Sequence, residues 1–225
     1  MEYDWDWWVV WEYRWVFLHG ALWTVVISAT SIVQGTLVGV LWGLLLGTES
    51  RAWLEVKYLS FALDDVVRAL PLLVFLLLVN YYLPPLLGVF SVFWITVIAL
   101  SVNLAAFVAD VLRGAIAGVP KPLVEAGLSV GMTDRQVIRR IVLPEAIRNV
   151  VPSLATLYIH ILKMSSLASV IAFRELTHVG GQVSSRTFRP LEVIAAIALT
   201  YLAIVLPLAH LQRWLERCKW FVRRS

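Results

Sequence analysis

The chain has 225 residues, of which 60% are hydrophobic and 15% charged, with a net charge of +4. Soluble domains run at about 45–50% and about 25%, so the composition specifies a multi-spanning membrane protein, and a charge so small and so scattered excludes a nucleic-acid surface. Cys218 is the only cysteine, which excludes an internal disulfide and a cysteine-based metal cluster.

The first residues are acidic and aromatic, with Glu2, Asp4 and Asp6 among Trp5, Trp7 and Trp8, where a secretory leader would begin with cations. No signal peptide is expected. Trp8, Trp11 and Trp15 are spaced to share a helical face, and indole prefers the headgroup layer, so residues 1–18 read as an interfacial helix.

No charge occurs over residues 20–47, more than the ~20 residues that cross a bilayer. Gly35, Gly39 and Gly43 repeat every four residues there and offer a face that another helix can approach closely, more plausibly within the subunit than at a dimer seam. After a polar turn with Arg51 and Lys57, and the group Asp64, Asp65 and Arg68, the chain is uncharged from Ala69 to Ala109 and must cross twice. These spans are placed at 69–83 and 92–109, broken at Asn80-Tyr81-Tyr82-Leu83-Pro84-Pro85, where paired prolines stop a helix. Pro71 frees a carbonyl in the first of them, and Asp64 and Arg68, one turn apart, are suited to pair. Asn103 and Ser101 are polar at membrane depth in the second.

Residues 111–148 are polar and cationic, and their punctuation predicts two short helices joined at a glycine. Gly131 can take the positive φ of a sharp turn, and Thr133-Asp134 can cap the helix that follows. A fourth span is expected over 150–173, with Lys163 near its middle, where a cation costs about 2.5–3.5 kcal/mol unless it meets a partner or a water-filled path. A mixed-charge loop from Arg174 to Arg189 and a fifth span over 193–211 complete the chain. Lys and Arg gather in the loops after spans one and three and in the tail, so the expected all-α fold has five transmembrane helices, its N-terminus outside and its C-terminus inside. The cationic stretch then lies in the cytoplasm.

No close pair of carboxylates, no nucleophile beside a histidine and no metal-ligand spacing appears, and His19, His160, His178 and His210 are dispersed. An enzyme is not expected, and no catalytic or metal-binding residue is assigned. A phosphate-cradling Gly-x-x-x-x-Gly-Lys-Ser/Thr loop is also missing, so any ATP that drives this protein is hydrolysed by another.

The stretch Glu125-Ala126-Gly127, then Gly131, then Ile141, Leu143 and Pro144 resembles the EAA coupling loop of binding-protein-dependent ABC importer permeases, with Gly127 standing where the pattern has alanine. Further stretches are similar to the polar amino acid branch of that family. These are Arg68 to Leu73, with Ala69 and Leu70 departing, Leu100 to Gly114, and Thr187 to Glu192. Leu162-Lys163-Met164-Ser165-Ser166-Leu167 is another, with Met164 replacing an aspartate or asparagine. The resemblance implies one permease domain over 1–225 in the bacterial cytoplasmic (inner) membrane. It implies a second permease subunit, identical or paralogous, two ATP-binding subunits that hold ATP and Mg, and an extracytoplasmic solute-binding protein. No cofactor is expected in this chain itself. Glu125, Ala126, Gly127, Gly131, Ile141, Leu143 and Pro144 would couple to the ATPase. Asn103, Lys163, Met164, Ser165, Ser166 and Pro71 are candidates for the substrate pathway. The alternative is an ion-coupled secondary amino acid carrier, which calls for a membrane-embedded acid, and none occurs at 20–47 or 69–109.

Overall fold

The computed structural model describes residues 3–47, 54–88 and 91–217, so Arg51 and the tail cations Lys219, Arg223 and Arg224 lie outside the described residues. Among the described residues all regular structure is helical. In chain order the helices are α1 (Trp8–Glu12), α2 (Arg14–Gly47), α3 (Leu54–Ala69), α4 (Leu72–Leu87), α5 (Val92–Ala117), α6 (Lys121–Ser129), α7 (Asp134–Val137), α8 (Leu143–Met164), α9 (Leu176–Thr187) and α10 (Pro190–Arg217). A π-helical turn, Ile138–Val142, joins α7 to α8, and a 3-10 segment, Ser165–Ile171, follows α8. Arg14–Gly43, Val92–Ala117, Asp134–Ile171 and Pro190–Arg217 are each long and apolar enough to cross a membrane, while the apolar α4 is shorter.

The core is a seam between α2 and α5, the most extensive helix pair in the molecule. The glycine repeat builds it. A Cβ on Gly35 would stand 2.8 Å from the Ser101 carbonyl, and one on Gly39 would stand 2.6 Å from the Val108 Cβ and 2.7 Å from the Ala105 carbonyl. Gly43 faces Ala109 and Leu112. Real Cβ atoms do not approach that closely, so only glycine lets the two backbones meet. Ser101 is spent on the same seam, donating to the Ser31 carbonyl at 3.3 Å. The close approach is therefore internal to the subunit.

Several expectations change. The segment from Arg174 to Arg189 is not a loop, because it contains α9. The buried Glu175 caps that helix by accepting from the Thr177 and His178 amides, both at 2.8 Å. A Cβ on Gly180 would meet Ile197 at 2.3 Å, so glycine lets α9 lie flat on α10. The prolines Pro84 and Pro85 do not stop α4. They sit in its last turn, where their fixed φ suits a helix, and Gly88 at φ +100° ends it. Pro71 does more than bend a span, since it stands outside both helices at ψ 131° and separates α3 from α4. The N-terminal helix is only Trp8–Glu12, after which Tyr13 interrupts it and α2 begins.

The corner where the N-terminus meets α10 rests on a second buried carboxylate. Glu192 accepts from the Tyr3 hydroxyl at 2.6 Å and the Asp6 amide at 2.9 Å. Arg189 reaches back to the Asp4 carbonyl, and the preceding Phe188 takes a left-handed φ of 55° at the end of α9. The sequence Thr187-Phe188-Arg189-Pro190-Leu191-Glu192 thus works as an anchor for the first residues. Val9 and Phe17 pack beneath it with Leu176, Val183, Val193 and Ala196, while Trp8, Trp11 and Trp15 stay exposed with the Arg14 guanidinium over the last two rings.

Candidate coupling knuckle and pathway face

The cationic stretch folds as a bent knuckle. α6 runs into Val130 and Gly131, Gly131 takes φ +82°, and Thr133 opens the next helix with a reciprocal cap, its hydroxyl accepting from the Gln136 amide while the Gln136 side chain accepts from the Thr133 amide. Both features follow from local chemistry that the sequence carries. The Gly131 position has open space around it, so the demand for glycine there comes from φ alone.

Gly127 is the buried pivot of the knuckle. A Cβ there would stand 2.7 Å from the Ile141 Cδ1, which shows why this chain has glycine where the coupling pattern has alanine: Ile141 packs into the space. Glu125 and Ala126 are exposed on the outer surface, as are Leu128, Val130 and Leu143, while Pro144 is half-buried. The knuckle presents an apolar tip of Leu128 and Val130 beside one carboxylate, flanked by a polar depression lined by Arg135, Arg139 and Arg140.

The knuckle's second arm does not end before the membrane. α7, the π turn and α8 are one continuous right-handed helix from Asp134 to Met164, whereas the fourth span was expected to begin near Val150. The wide turn has a cause. Pro144 offers no amide and its ring would collide with the carbonyl four residues back, and just before it the Leu143 amide reaches five residues back to the Ile138 carbonyl. The knuckle and the membrane-length helix thereby share one unbroken helical run.

That rod carries a face the sequence reading did not assemble. Asn149, Thr156, His160 and Lys163 are exposed, and Ser153 is half-buried between them, at successive spacings of four, three, four and three residues. This is one stripe on a helix. The signal was present in the sequence, but it became visible only once the helix was known to run unbroken past Pro144 and Pro152. Of the predicted pathway residues, Lys163 lies on this stripe in the last turn of α8, with Met164 half-buried beside it. Ser165 is buried and donates to the Leu162 carbonyl at 2.8 Å, and Ser166 donates to the Lys163 carbonyl at 2.8 Å. Their hydroxyls serve the passage from α-helix to 3-10 segment, which leaves Lys163 in the last turn of the α-helix. Asn103 is buried within α5, and Pro71 is exposed between α3 and α4, so neither shares the α8 stripe.

The acid–base pair expected at Asp64 and Arg68 is part of a larger group. The Asp64 carboxylate, fully buried, meets Arg68 at 3.0 Å and Arg113 at 3.1 Å, and Asp110 meets the same two guanidinium groups at 3.0 Å each. These contacts tie α3 to the end of α5 that leads into the knuckle. At the opposite end of the bundle, burial raises the Glu175 carboxyl above the usual carboxylate range, against the opposing pull of the Thr177 and His178 amides. Among the described residues no group of His, Cys, Asp and Glu is arranged to hold a metal.

Residues 39–219 match the family model described as "Binding-protein-dependent transport system inner membrane component". The chain is 31% identical to the glutamine transport system permease protein GlnP of Escherichia coli (strain K12), over 96% of this chain and 98% of that one. It is 31% identical to the octopine transport system permease protein OccM of Rhizobium radiobacter, over 96% of this chain and 91% of that one. Its fold superposes on a solved amino acid ABC transporter with histidines at a TM-score of 0.88, with 30% identity, covering 96% of this chain and 99% of that one. The chain belongs to the binding-protein-dependent transport system inner membrane component family, the permeases of ABC importers.

Proposed function

We propose that this permease carries amino acids into the cell across a bacterial cytoplasmic membrane by alternating access, with its N-terminus outside and its C-terminus inside. Two ATP-binding subunits, which hold the ATP and Mg, act on Glu125, Ala126, Gly127, Gly131, Ile141, Leu143 and Pro144. A second permease subunit completes the pathway, and an extracytoplasmic solute-binding protein delivers the cargo. The amino acid cargo is supported by relatives whose names specify glutamine and octopine transport and by the solved amino acid transporter. Cations concentrated around the knuckle support the orientation.

The observation that carries the coupling role is the continuity of the helix from Asp134 to Met164, which joins an exposed knuckle to the polar stripe of a membrane-length helix. An ATPase that tilts the knuckle moves that stripe directly. Lys163 and Met164, with Ser165 and Ser166 behind them, then stand along the route, Asn103 buttresses it from α5, and Pro71 gives the α3–α4 break. An ion-coupled carrier has no comparable use for the knuckle.

The test is the assembled complex in proteoliposomes with Glu125→Ala and, separately, Gly131→Val. A valine at φ +82° is strained by about 1–2 kcal/mol, enough to redirect the turn. Both variants are expected to insert and assemble normally while ATP-driven uptake falls about tenfold or more, the effect of about 1.4 kcal/mol lost at a docking contact. Full coupled uptake in both would remove the knuckle from the mechanism.

A further inference from the structure

The ionisable side chains exposed on the spanning part of α8 are both nitrogen bases. Above Arg148 the stripe carries His160 and Lys163 and no acid, and neither side chain makes a hydrogen bond or ion pair among the described residues through its ring or ammonium group. Five carboxylates elsewhere among the described residues are already engaged. Asp64 and Asp110 are held by Arg68 and Arg113, and Glu145 by Arg148 at 3.4 Å. Glu175 takes two amides and the Tyr201 hydroxyl, and Glu192 takes Tyr3 and the Asp6 amide. Glu145 lies a turn before Asn149, at the knuckle end of the same helix, and Glu216 accepts from Gln212 as Gln212 donates to Thr156, one turn below His160 on the side of the knuckle and beside Arg213 and Arg217.

The local sequence moves in the same direction. Where the resembling pattern has an aspartate or asparagine after the lysine, this chain has Met164, so a polar or acidic neighbour of Lys163 is gone, and an imidazole stands one turn before the lysine. A cationic side chain passing here would meet an ammonium group and no counter-charge. A second carboxylate would meet two nitrogen donors. Side chains three residues apart on a helix have Cβ atoms about 5–6 Å apart, which suits the separation between the two carboxylates of a short dicarboxylic amino acid. Each can then receive its own hydrogen bond, and a bond to a charged partner is among the stronger ones.

We propose that the cargo is an amino acid bearing a second carboxylate, and that His160, beside Lys163, is a selectivity determinant for it. This rests on the amino acid importer reading above and narrows it. Lys163 takes one carboxylate of the cargo and the His160 imidazole the other, and Met164 leaves the lysine charge unshared. Substrate selection is then partly a property of the permease, in addition to whatever the solute-binding protein selects.

The experiment uses the complete complex with its ATPase and solute-binding protein in proteoliposomes, and measures ATP-driven uptake of labelled glutamate, glutamine and arginine. Glutamate is expected to be taken up in preference to the other two. His160→Leu, at an exposed position where folding is not at stake, is expected to lower the glutamate-to-glutamine uptake ratio about tenfold, as loss of one charge-assisted hydrogen bond does. Met164→Asp is expected to lower the same ratio, because the new carboxylate competes for Lys163. Preference for glutamine or arginine, or a ratio unmoved in both variants, overturns the proposal and leaves amino acid import standing. A complex that hydrolyses ATP yet moves none of the three, nor any other amino acid of a full labelled panel, overturns the importer reading, and the proposal falls with it; uptake of another amino acid without a second carboxylate overturns the proposal alone.

Discussion

α5 and α8 are both long and apolar enough to span a membrane, yet 67% of the most apolar window of α5 is buried within the subunit against 28% for the helix that contains α8. The difference lies in what interrupts the apolar sequence. Along α5 the interruptions are small residues, Ser101, Ala105 and Ala109, and they meet the glycines of α2 at backbone distance. Along α8 they are Asn149, Ser153, Thr156, His160 and Lys163, which find little within the subunit and line up on one side. Small interruptions mark a helix that is packed inside, and polar ones in register mark a helix that faces water, cargo or a partner. Length and apolar composition alone qualify both to cross a membrane.

The strongest way to break this contrast is Gly39→Leu. Its Cβ would fall 2.6 Å from the Val108 Cβ and 2.7 Å from the Ala105 carbonyl, and the second of these is backbone that cannot turn aside. We expect the α2–α5 seam to open at a cost of about 3 kcal/mol or more, seen as loss of monodisperse protein on size-exclusion chromatography in detergent. Thr156→Val on α8, measured alongside, should leave the chromatogram unchanged. If both variants behave alike, burial is not what separates the two helices.

Much of this architecture is legible in the sequence where the cause is local. Gly131 and Thr133 announce the knuckle because positive φ and helix capping are settled by a few adjacent residues, and the four-residue glycine repeat announces the seam. The sequence does not reveal which polar residues a neighbour consumes. Ser165 and Ser166 read as pathway candidates and Ser101 as a polar group at membrane depth, and each donates to a backbone carbonyl. His160 reads as one of four dispersed histidines, and it stands exposed. Nor can spacing reveal that Glu175 and Glu192 are buried, since their partners, Tyr201 in one case and Tyr3 with Asp6 in the other, lie 26, 189 and 186 residues away.

Glu175 sharpens the contrast at an intermediate level, because it puts an ionisable group on the buried side. Burial raises its carboxyl above the ordinary glutamate value of 4.5, so the folded protein holds this proton more tightly than the unfolded chain does. Its contribution to stability is therefore complete below the unfolded value and declines as pH rises through the raised one. Glu175→Gln keeps an acceptor for the α9 cap and removes the titration, so its thermal stability relative to the parent should improve as pH rises from about 4.5 upward. Glu175→Ala loses the cap and is expected to be less stable than the parent by about 1–2 kcal/mol. A parent-minus-Gln difference that stays flat from pH 4 to pH 8, in about four steps of one unit, would show that this carboxyl does not titrate with folding.

The smallest effect is expected at the knuckle, where the contrast between packed and open positions meets in one residue. Gly127 is buried, but the atom its Cβ would strike is Cδ1 of Ile141, the movable end of a flexible side chain, at 2.7 Å. Gly127→Ala restores the residue of the coupling pattern and also favours helix over glycine by about 1 kcal/mol. The two terms oppose, so melting temperature should change little and ATP-driven uptake should persist. The companion Ile141→Val, which shortens the obstructing side chain, should turn Gly127→Ala from neutral to stabilising, and a double-mutant cycle reads that coupling directly. If the two substitutions prove strictly additive, Ile141 is not the neighbour that made glycine the residue at this position.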